Sequence, residues 1–356
     1  MQSLHRKDPQ RIIVRMPNWI GDLVMATPVL SDLRTAYPQA HITAMCRSPI
    51  GDLLKEAPEI DELFCFNKSS GWSGVKEQNR VIHQLRRGRY DLGILLTHSF
   101  SSAWWFWQGK VKRRIGYVCN GRRLLLSQGL SFPENIQNQH LVMTYKELLG
   151  PLGIGLSHTS PRLYLAEKEM SDASLLFRQH GIPEGALVVG INPGATYGSA
   201  KCWLPERFRE VAQRLLMDPD LYLVFFGDQA TSGLVREICS GFSKRVVNLA
   251  GATSLRTLVS GIHLCDVLLT NDSGPMHVAD AIGTPIVALF GSTSSIITGP
   301  YRSGIVIHKH VECSPCYERT CPIDFRCMKS IEVDEVCHAI MKMLSSKRSK
   351  LHITAL

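Results

Sequence analysis

The sequence predicts an α/β protein made of two Rossmann-like domains with mainly parallel sheets. Three observations carry this. Short apolar, β-branched runs alternate with stretches of helical periodicity along nearly the whole chain. The alternation starts twice, at Arg11 and at Leu187, with a Gly/Pro-rich stretch from Gly150 to His158 between the two series. Finally, 356 residues with 44% hydrophobic content supply two cores rather than one. We expect domains over 1–170 and 171–346, then a basic tail over 347–356.

In the first series, Arg11 to Arg15 reads as a buried strand that leads through the loop from Met16 to Asp22 into a helix from Leu23 to Ala36. Pro17 and Gly21 shape that loop, and Asp22 lies at the mouth of the helix. An aspartate there either caps the helix, worth ~1 kcal/mol, or acts as a general base. His41 to Cys46 and Asp91 to Thr97 are further strands, with helical stretches near 49–57 and 75–88. Ser101 to Arg114 then sets three of the six tryptophans beside four cations. Such a run suits a membrane–water interface or a phosphate-bearing amphiphile; a core helix with a solvated basic end accounts for it as well. Tyr117 to Arg123 and Pro133 to His140 read as loops around an open cleft, and His140 to Leu149 as a helix.

In the second series, the strand Leu187 to Asn192 runs into a Gly-bearing loop from Pro193 to Trp203, followed by a helix from Pro205 to Met217. Leu221 to Phe226 is a strand closed by Gly227 and Asp228, and Val246 to Ala250 is another. Val267 to Leu269 and Ile286 to Phe290 flank a helix that opens where Ser273 can cap and Pro275 can sit in the first turn. Thr270, Asn271, Asp272 and Ser273 therefore fall at the carboxyl end of a strand, where open α/β sheets bind ligands and a helix start presents backbone N–H groups to an anion. Ile305 to His308 is a last short strand, and Glu332 to Leu344 an amphipathic helix, after which Lys347, Arg348 and Lys350 form a tail expected to fray.

No G-x-G-x-x-G follows any strand and no G-x-x-x-x-G-K-[ST] occurs, which weighs against the nicotinamide-cofactor and P-loop readings. What remains is a diphosphate site of another design. Lys201, in the Gly194/Gly198 loop, supplies a cation and Thr196 a hydroxyl, although an ordinary solvated lysine fits the same position. The charged N-terminus runs straight into a strand, without a signal peptide or membrane-spanning segment, so a cytoplasmic location is expected. Eleven cysteines then read as thiols or a metal site. Cys313, Cys316, Cys321 and Cys327 are compatible with zinc or an iron–sulfur cluster by spacing but match neither pattern, so a thiol-rich loop stands beside that reading. The net charge of +9 is uneven: residues 1–180 hold 23 Lys/Arg against 15 Asp/Glu, the remainder 17 against 16. The N-terminal half is the one expected to attract a large anion, and a merely soluble basic surface is the plainer alternative.

Four segments in order carry a family resemblance: Arg11 to Pro28 with Gly21 and Asp22, Asn192 to Ala195 with Lys201 to Glu206, Asn271 to His277, and Ala288 to Ser292. Together they resemble the ADP-heptose:lipopolysaccharide heptosyltransferases over nearly the whole chain. Within that family, the heptosyltransferase II branch also carries a Cys-Ser-Pro-Cys segment near the C-terminus, as Cys313 to Cys316 does here.

The resemblance implies a GT-B fold whose domains face each other across a cleft, the N-terminal one for the acceptor and the C-terminal one for the sugar nucleotide. It implies inverting transfer of heptose from ADP-heptose to the phosphorylated heptosyl-Kdo-lipid A inner core, without metal or other cofactor, by a protein peripheral to the inner face of the inner membrane. No nucleic-acid partner is expected. By the same resemblance Asp22 is the base, Lys201 and Thr196 contact the diphosphate, and Asp272 meets the heptose hydroxyls or neighbouring backbone. Ser273, Gly274 and His277 meet the phosphates, and Asp228 borders the adenosine. Heptosyltransferase I or another core glycosyltransferase of the family is the alternative, and a non-catalytic sugar-nucleotide-binding protein a more distant one.

Overall fold

The structure, a computed structural model, describes residues 8–68, 70–242 and 244–354, with side chains as far as Ser345. The charged N-terminal residues 1–7 and the side chains of the basic tail lie outside the described residues. The chain forms two units, Met1–Leu163 and Tyr164–Leu356.

The first unit runs β1 (Arg11–Arg15), α1 (Ile20–Met25), α2 (Thr27–Ala36), β2 (His41–Arg47), β3 (Glu62–Phe66), α3 (Gly71–Gly88), β4 (Leu92–Leu95), α4 (Phe100–Gln108), β5 (Arg113–Tyr117), β6 (Gln128–Leu130) and α5 (Leu141–Glu147). The second runs α6 (Glu167–Gln179), β7 (Leu187–Asn192), α7 (Pro205–Leu215), β8 (Leu221–Phe225), α8 (Ser232–Cys239), β9 (Val246–Asn248), α9 (Leu255–His263), β10 (Val267–Asn271), α10 (Gly274–Ile282), β11 (Ile286–Phe290), α11 (Ser295–Thr298), β12 (Ile305–His308), α12 (Arg326–Lys329) and α13 (Val333–Thr354).

Each unit holds a six-stranded sheet, ordered β3-β2-β1-β4-β5-β6 in the first and β12-β11-β10-β7-β8-β9 in the second, and every pairing is parallel. Counted from each unit's own first strand, the two orders are the same doubly wound order. The strand order reverses between β1 and β4, and again between β7 and β10. Ile12, Ile13 and Val14 in β1, and the whole of β10 and β11, are buried, because central strands of a parallel sheet are covered on both faces. Along α7, Phe208, Val211, Ala212 and Leu215 recur at helical spacing and face that core.

The foot of each sheet uses the same device. Asp91, just before β4, accepts from the N–H groups of Gln10 and Arg11 at 3.1 Å. Asp266, just before β10, accepts from the Val188 N–H at 2.7 Å. In the first unit a buried network also ties α2 and α5 to the following loop: Lys146 Nζ donates to the carbonyls of Ser157 and Thr159 at 2.8 Å, and Asp32 accepts from both hydroxyls.

Several elements depart from expectation. The helix expected near 49–57 is a short 3-10 turn, Ile50–Leu54. β3 and β5 carry weak strand signals: β5 opens with Arg113 and Arg114, half-buried because Arg114 donates to the carbonyls of Leu125 and Val111. The C-terminal helix does not stop near Leu344; its backbone continues through the tail to Thr354. Among the described residues no helix is long and apolar enough to cross a membrane.

Candidate functional site

In the first unit, the loop leaving β1 at the reversal of strand order is organised by Arg15. Its guanidinium is buried, donates to the Met16 carbonyl and to Asn18 Oδ1 at 2.6 Å, and stacks on the Phe66 ring at 4.5 Å. Burial pulls its pKa down to about 10. The loop thus fixed delivers Asp22 into α1. The N-cap of α1 is Trp19, with no side-chain cap bond, so Asp22 does not cap the helix; it is the third helical residue. Its carboxylate accepts from the Tyr145 hydroxyl at 3.4 Å. Burial, and then the charge of Asp22, push the Tyr145 phenol well above its usual range, so it remains a donor.

In the second unit the site is built where β7 and β10 end side by side. The terminal residues of both strands are buried asparagines that hold the turns rather than face solvent. Asn271 donates to the Pro193 carbonyl at 2.7 Å and accepts the Trp203 N–H at 3.0 Å. Asn192 donates to the Gly194 carbonyl at 3.0 Å and to Ser273 Oγ at 3.1 Å. Across this frame Lys201 Nζ reaches Asp272 Oδ2 at 2.6 Å, and the Thr293 hydroxyl donates to the same oxygen at 2.6 Å. Asp272 is buried, and the Lys201 ammonium also lies 4.9 Å from the Tyr197 ring centroid.

Ser273 is the N-cap of α10 but makes no side-chain cap bond; its hydroxyl is engaged by Asn192 and Thr270 instead. Gly274 and Pro275 open the helix, and His277 is buried one turn in. Pro275 has no N–H and the Met276 N–H donates to the Ser273 carbonyl at 3.1 Å, so the start of this nine-residue helix offers the Gly274 N–H beside the Lys201–Asp272 pair, a position suited to an anionic oxygen. Asp228 accepts from the N–H and hydroxyl of Thr231 at 2.9 and 2.8 Å, as a turn aspartate does. A Cβ on either Gly194 or Gly227 would lie 2.7 Å from Thr231, so this turn packs against the Lys201 loop. Thr196 is exposed on that loop.

The Cys-rich segment clasps the same loop from outside. Ala200 N–H donates to the Arg319 carbonyl at 3.0 Å, the Tyr197 hydroxyl to the Tyr317 carbonyl at 2.8 Å, and a Cβ on Gly198 would lie 2.2 Å from the Arg319 carbonyl oxygen. All four of its cysteines are free, and among the described residues no group of three or more His, Cys, Asp or Glu side chains is placed to hold a metal ion.

The structure thus brings Lys201, Asp272, Ser273, Gly274 and His277 together, sets Asp228 and Thr196 at their margin, and puts Asp22 on the other unit. Sequence reasoning missed Thr293, Tyr145 and the Arg15–Asn18 contact. Tyr145 lies 123 residues from Asp22 and gives no local signal; Arg15, a cation at the end of an otherwise apolar strand, does give one.

Residues 78–325 match glycosyltransferase family 9 (heptosyltransferase). Lipopolysaccharide heptosyltransferase 2 of Escherichia coli K12 is 30% identical over 308 residues, 82% of this chain and 85% of its own. A lipooligosaccharide heptosyltransferase 2 of Campylobacter jejuni is 27% identical over 342 residues, 94% and 99% of the two chains. Among solved structures, E. coli ADP-heptose lps heptosyltransferase II superposes with a TM-score of 0.81 at 27% identity, covering 95% of this chain and 99% of that one. A glycosyl transferase of family 9 from Veillonella parvula reaches 0.85 at 25% identity, covering 95% and 97%. With its two doubly wound sheets of the GT-B class, the chain belongs to glycosyltransferase family 9, the heptosyltransferases.

Proposed function

We propose that this enzyme is an inverting heptosyltransferase of the type II branch, moving L-glycero-D-manno-heptose from ADP-heptose to the heptosyl-Kdo-lipid A inner core. The Met1–163 unit takes the acceptor and the 164–356 unit the sugar nucleotide, and the protein works as a peripheral partner of the inner membrane's cytoplasmic face. The observation that carries this reading is the Lys201–Asp272–Thr293 cluster beside the start of α10. It offers a cation, a buried carboxylate and a helix start in a combination suited to a sugar diphosphate.

In the step, Asp22 takes the proton of the acceptor hydroxyl as its oxygen attacks the anomeric carbon. The bond from that carbon to the β-phosphate oxygen breaks on the opposite face, and the electron pair leaves on ADP. Lys201 and the N–H groups of Ser273 and Gly274 stabilise the charge that develops there. Thr196 adds a hydroxyl to the phosphates, His277 supports the turn beneath them, Asp272 orients Lys201 and receives heptose hydroxyls, and Asp228 borders the adenosine. One displacement gives inversion.

The test is mass spectrometry of the product from ADP-heptose and defined truncated core acceptors. Transfer to the mono-heptosylated core, with ADP released in equal amount, is the expected result. Transfer only to a core lacking heptose would replace the type II assignment with a type I one, and no ADP release with any acceptor would reject it.

A further inference from the structure

The exposed apolar residues of the first unit are not scattered. Because all six strands of its sheet run parallel, the segments that leave them emerge on one edge, the carboxyl edge that also carries Asp22. Trp19 follows β1, Trp72 follows β3, Phe100 follows β4 and Leu124 follows β5. They are 56%, 85%, 48% and 92% exposed. From Phe100 the apolar surface continues along α4: Phe100 stacks on Trp104 at 6.4 Å, and Trp104 meets Trp107 at 5.1 Å. The expectation that the tryptophan run is either a core helix or an interfacial one is answered in part by this division. Ala103 and Phe106 are buried, while Phe100 and Trp107 form an outward row.

Cations lie among these side chains. Lys68 and Lys76 flank Trp72, and Arg123 adjoins Leu124, all exposed. The acidic Glu77 in the same region is already held by Arg80 at 2.7 Å. Residues 1–180 carry an excess of eight positive charges.

We propose that this edge docks on the surface of an anionic lipid bilayer, with Trp72, Phe100 and Leu124 entering the headgroup–acyl boundary and Lys68, Lys76 and Arg123 meeting lipid phosphates. Tryptophans with one apolar face and one polar edge favour that boundary, and basic side chains close to it are attracted by anionic headgroups. Leu124 distinguishes this surface from a sugar-binding platform, since an aliphatic side chain has no ring face for a sugar to stack on. The docking rests on the reading that the acceptor is lipid-borne. It lets Asp22 meet an acceptor that stays anchored in the bilayer, because base and lipid contact share one edge.

The full-length enzyme is to be mixed with vesicles of phosphatidylethanolamine and phosphatidylglycerol, with neutral phosphatidylcholine vesicles, and with the anionic vesicles at high salt, and the bound fraction read by flotation. Binding to the anionic vesicles, weakened by salt and reduced about tenfold or more in Trp72→Ser/Leu124→Ser, is expected. The double variant keeps its transfer rate on a deacylated, water-soluble core acceptor. Vesicle binding equal in wild type and double variant, or absent in wild type, overturns the docking surface. Loss of transfer to the water-soluble acceptor in the double variant also overturns it, by making these residues part of sugar recognition. Intact vesicle binding without transfer to any acceptor would uphold the surface while rejecting the proposed function.

Discussion

Lys201 Nζ and Asp272 Oδ2 lie 2.6 Å apart, and the Thr293 hydroxyl shares that oxygen, so the Lys201 cation is positioned by a buried carboxylate before any substrate arrives. This separates two effects that a single substitution would mix. Lys201→Ala removes a charge-assisted contact to the diphosphate and should weaken ADP binding by ~1.5–3 kcal/mol. It also leaves Asp272 buried with its cation gone, which should lower the melting temperature. Adding Asp272→Asn neutralises the stranded carboxylate, so the double variant should regain stability but not ADP affinity. Calorimetric titration with ADP and thermal unfolding of the three variants check this. Unchanged ADP affinity in Lys201→Ala would reject the diphosphate role.

Asp22 and Tyr145 allow a second separation. Asp22→Asn should fold and bind ADP-heptose normally while the transfer rate falls about 10²–10⁴-fold, the usual worth of a general base. Tyr145→Phe keeps the base but removes the donor seen at 3.4 Å. A carboxylate that loses a hydrogen-bond donor holds its proton more tightly, so the acid limb of the kcat/KM profile should move to higher pH. Near-normal turnover of Asp22→Asn, or a Tyr145→Phe profile that merely scales down without moving, would count against the assignment.

How far the sequence reaches depends on what each signal measures. Apolar periodicity located the central strands β1, β7, β10 and β11, because strands covered on both faces must be continuously apolar. It failed at β5, where Arg113 and Arg114 find their partners in carbonyls and Gln128 that no local pattern announces. The turn from Thr270 to Ser273 was legible as the junction of a buried strand's end and a helix start, whereas the pairing of Lys201 with Asp272 beside it joins residues 71 positions apart. Capping was the plain reading of Asp22, and only the backbone shows Trp19 at the N-cap. The clasp of the Cys-rich segment on Gly198 was likewise invisible, since it runs through backbone carbonyls and not through the cysteines that drew notice.

Lys146 is buried with its ammonium on two carbonyls and 4.0 Å from Asp32, whose carboxylate holds the hydroxyls of Ser157 and Thr159. Burial lowers the lysine's pKa, and the charge of Asp32 works against that shift. Lys146→Ala should therefore cost ~3–5 kcal/mol, because it strands a buried carboxylate and two carbonyls together. Asp32→Asn combined with Lys146→Met should cost less than the sum of the single changes, as coupled neighbours do. Urea unfolding monitored by tryptophan fluorescence gives both numbers, and strict additivity would mean the network does not act as a unit.

Glu77 gives the acid dependence a defined origin. Its two oxygens take the guanidinium of Arg80 at 2.7 and 2.8 Å, and one also accepts the Asn67 N–H at 2.8 Å. Those Arg80 hydrogen bonds, with lesser help from the Asn67 bond and the charge of Arg80, hold the carboxyl down to about 2 against the opposing effect of burial, itself second in size only to the Arg80 hydrogen bonds. The folded state thus binds this proton less readily than the unfolded chain, whose glutamates titrate near 4.5. The stabilisation is present in full above that value and is lost as the pH falls through about 2. With Arg80 half exposed, solvent screening reduces its worth to ~1 kcal/mol. Glu77→Gln should therefore be less stable than wild type by a constant amount at neutral pH, and the gap should close progressively below pH 4.5. Urea midpoints of the two proteins across that range measure the gap directly, and a difference that stays constant down to pH 2.5 would show that the ion pair contributes nothing to acid sensitivity.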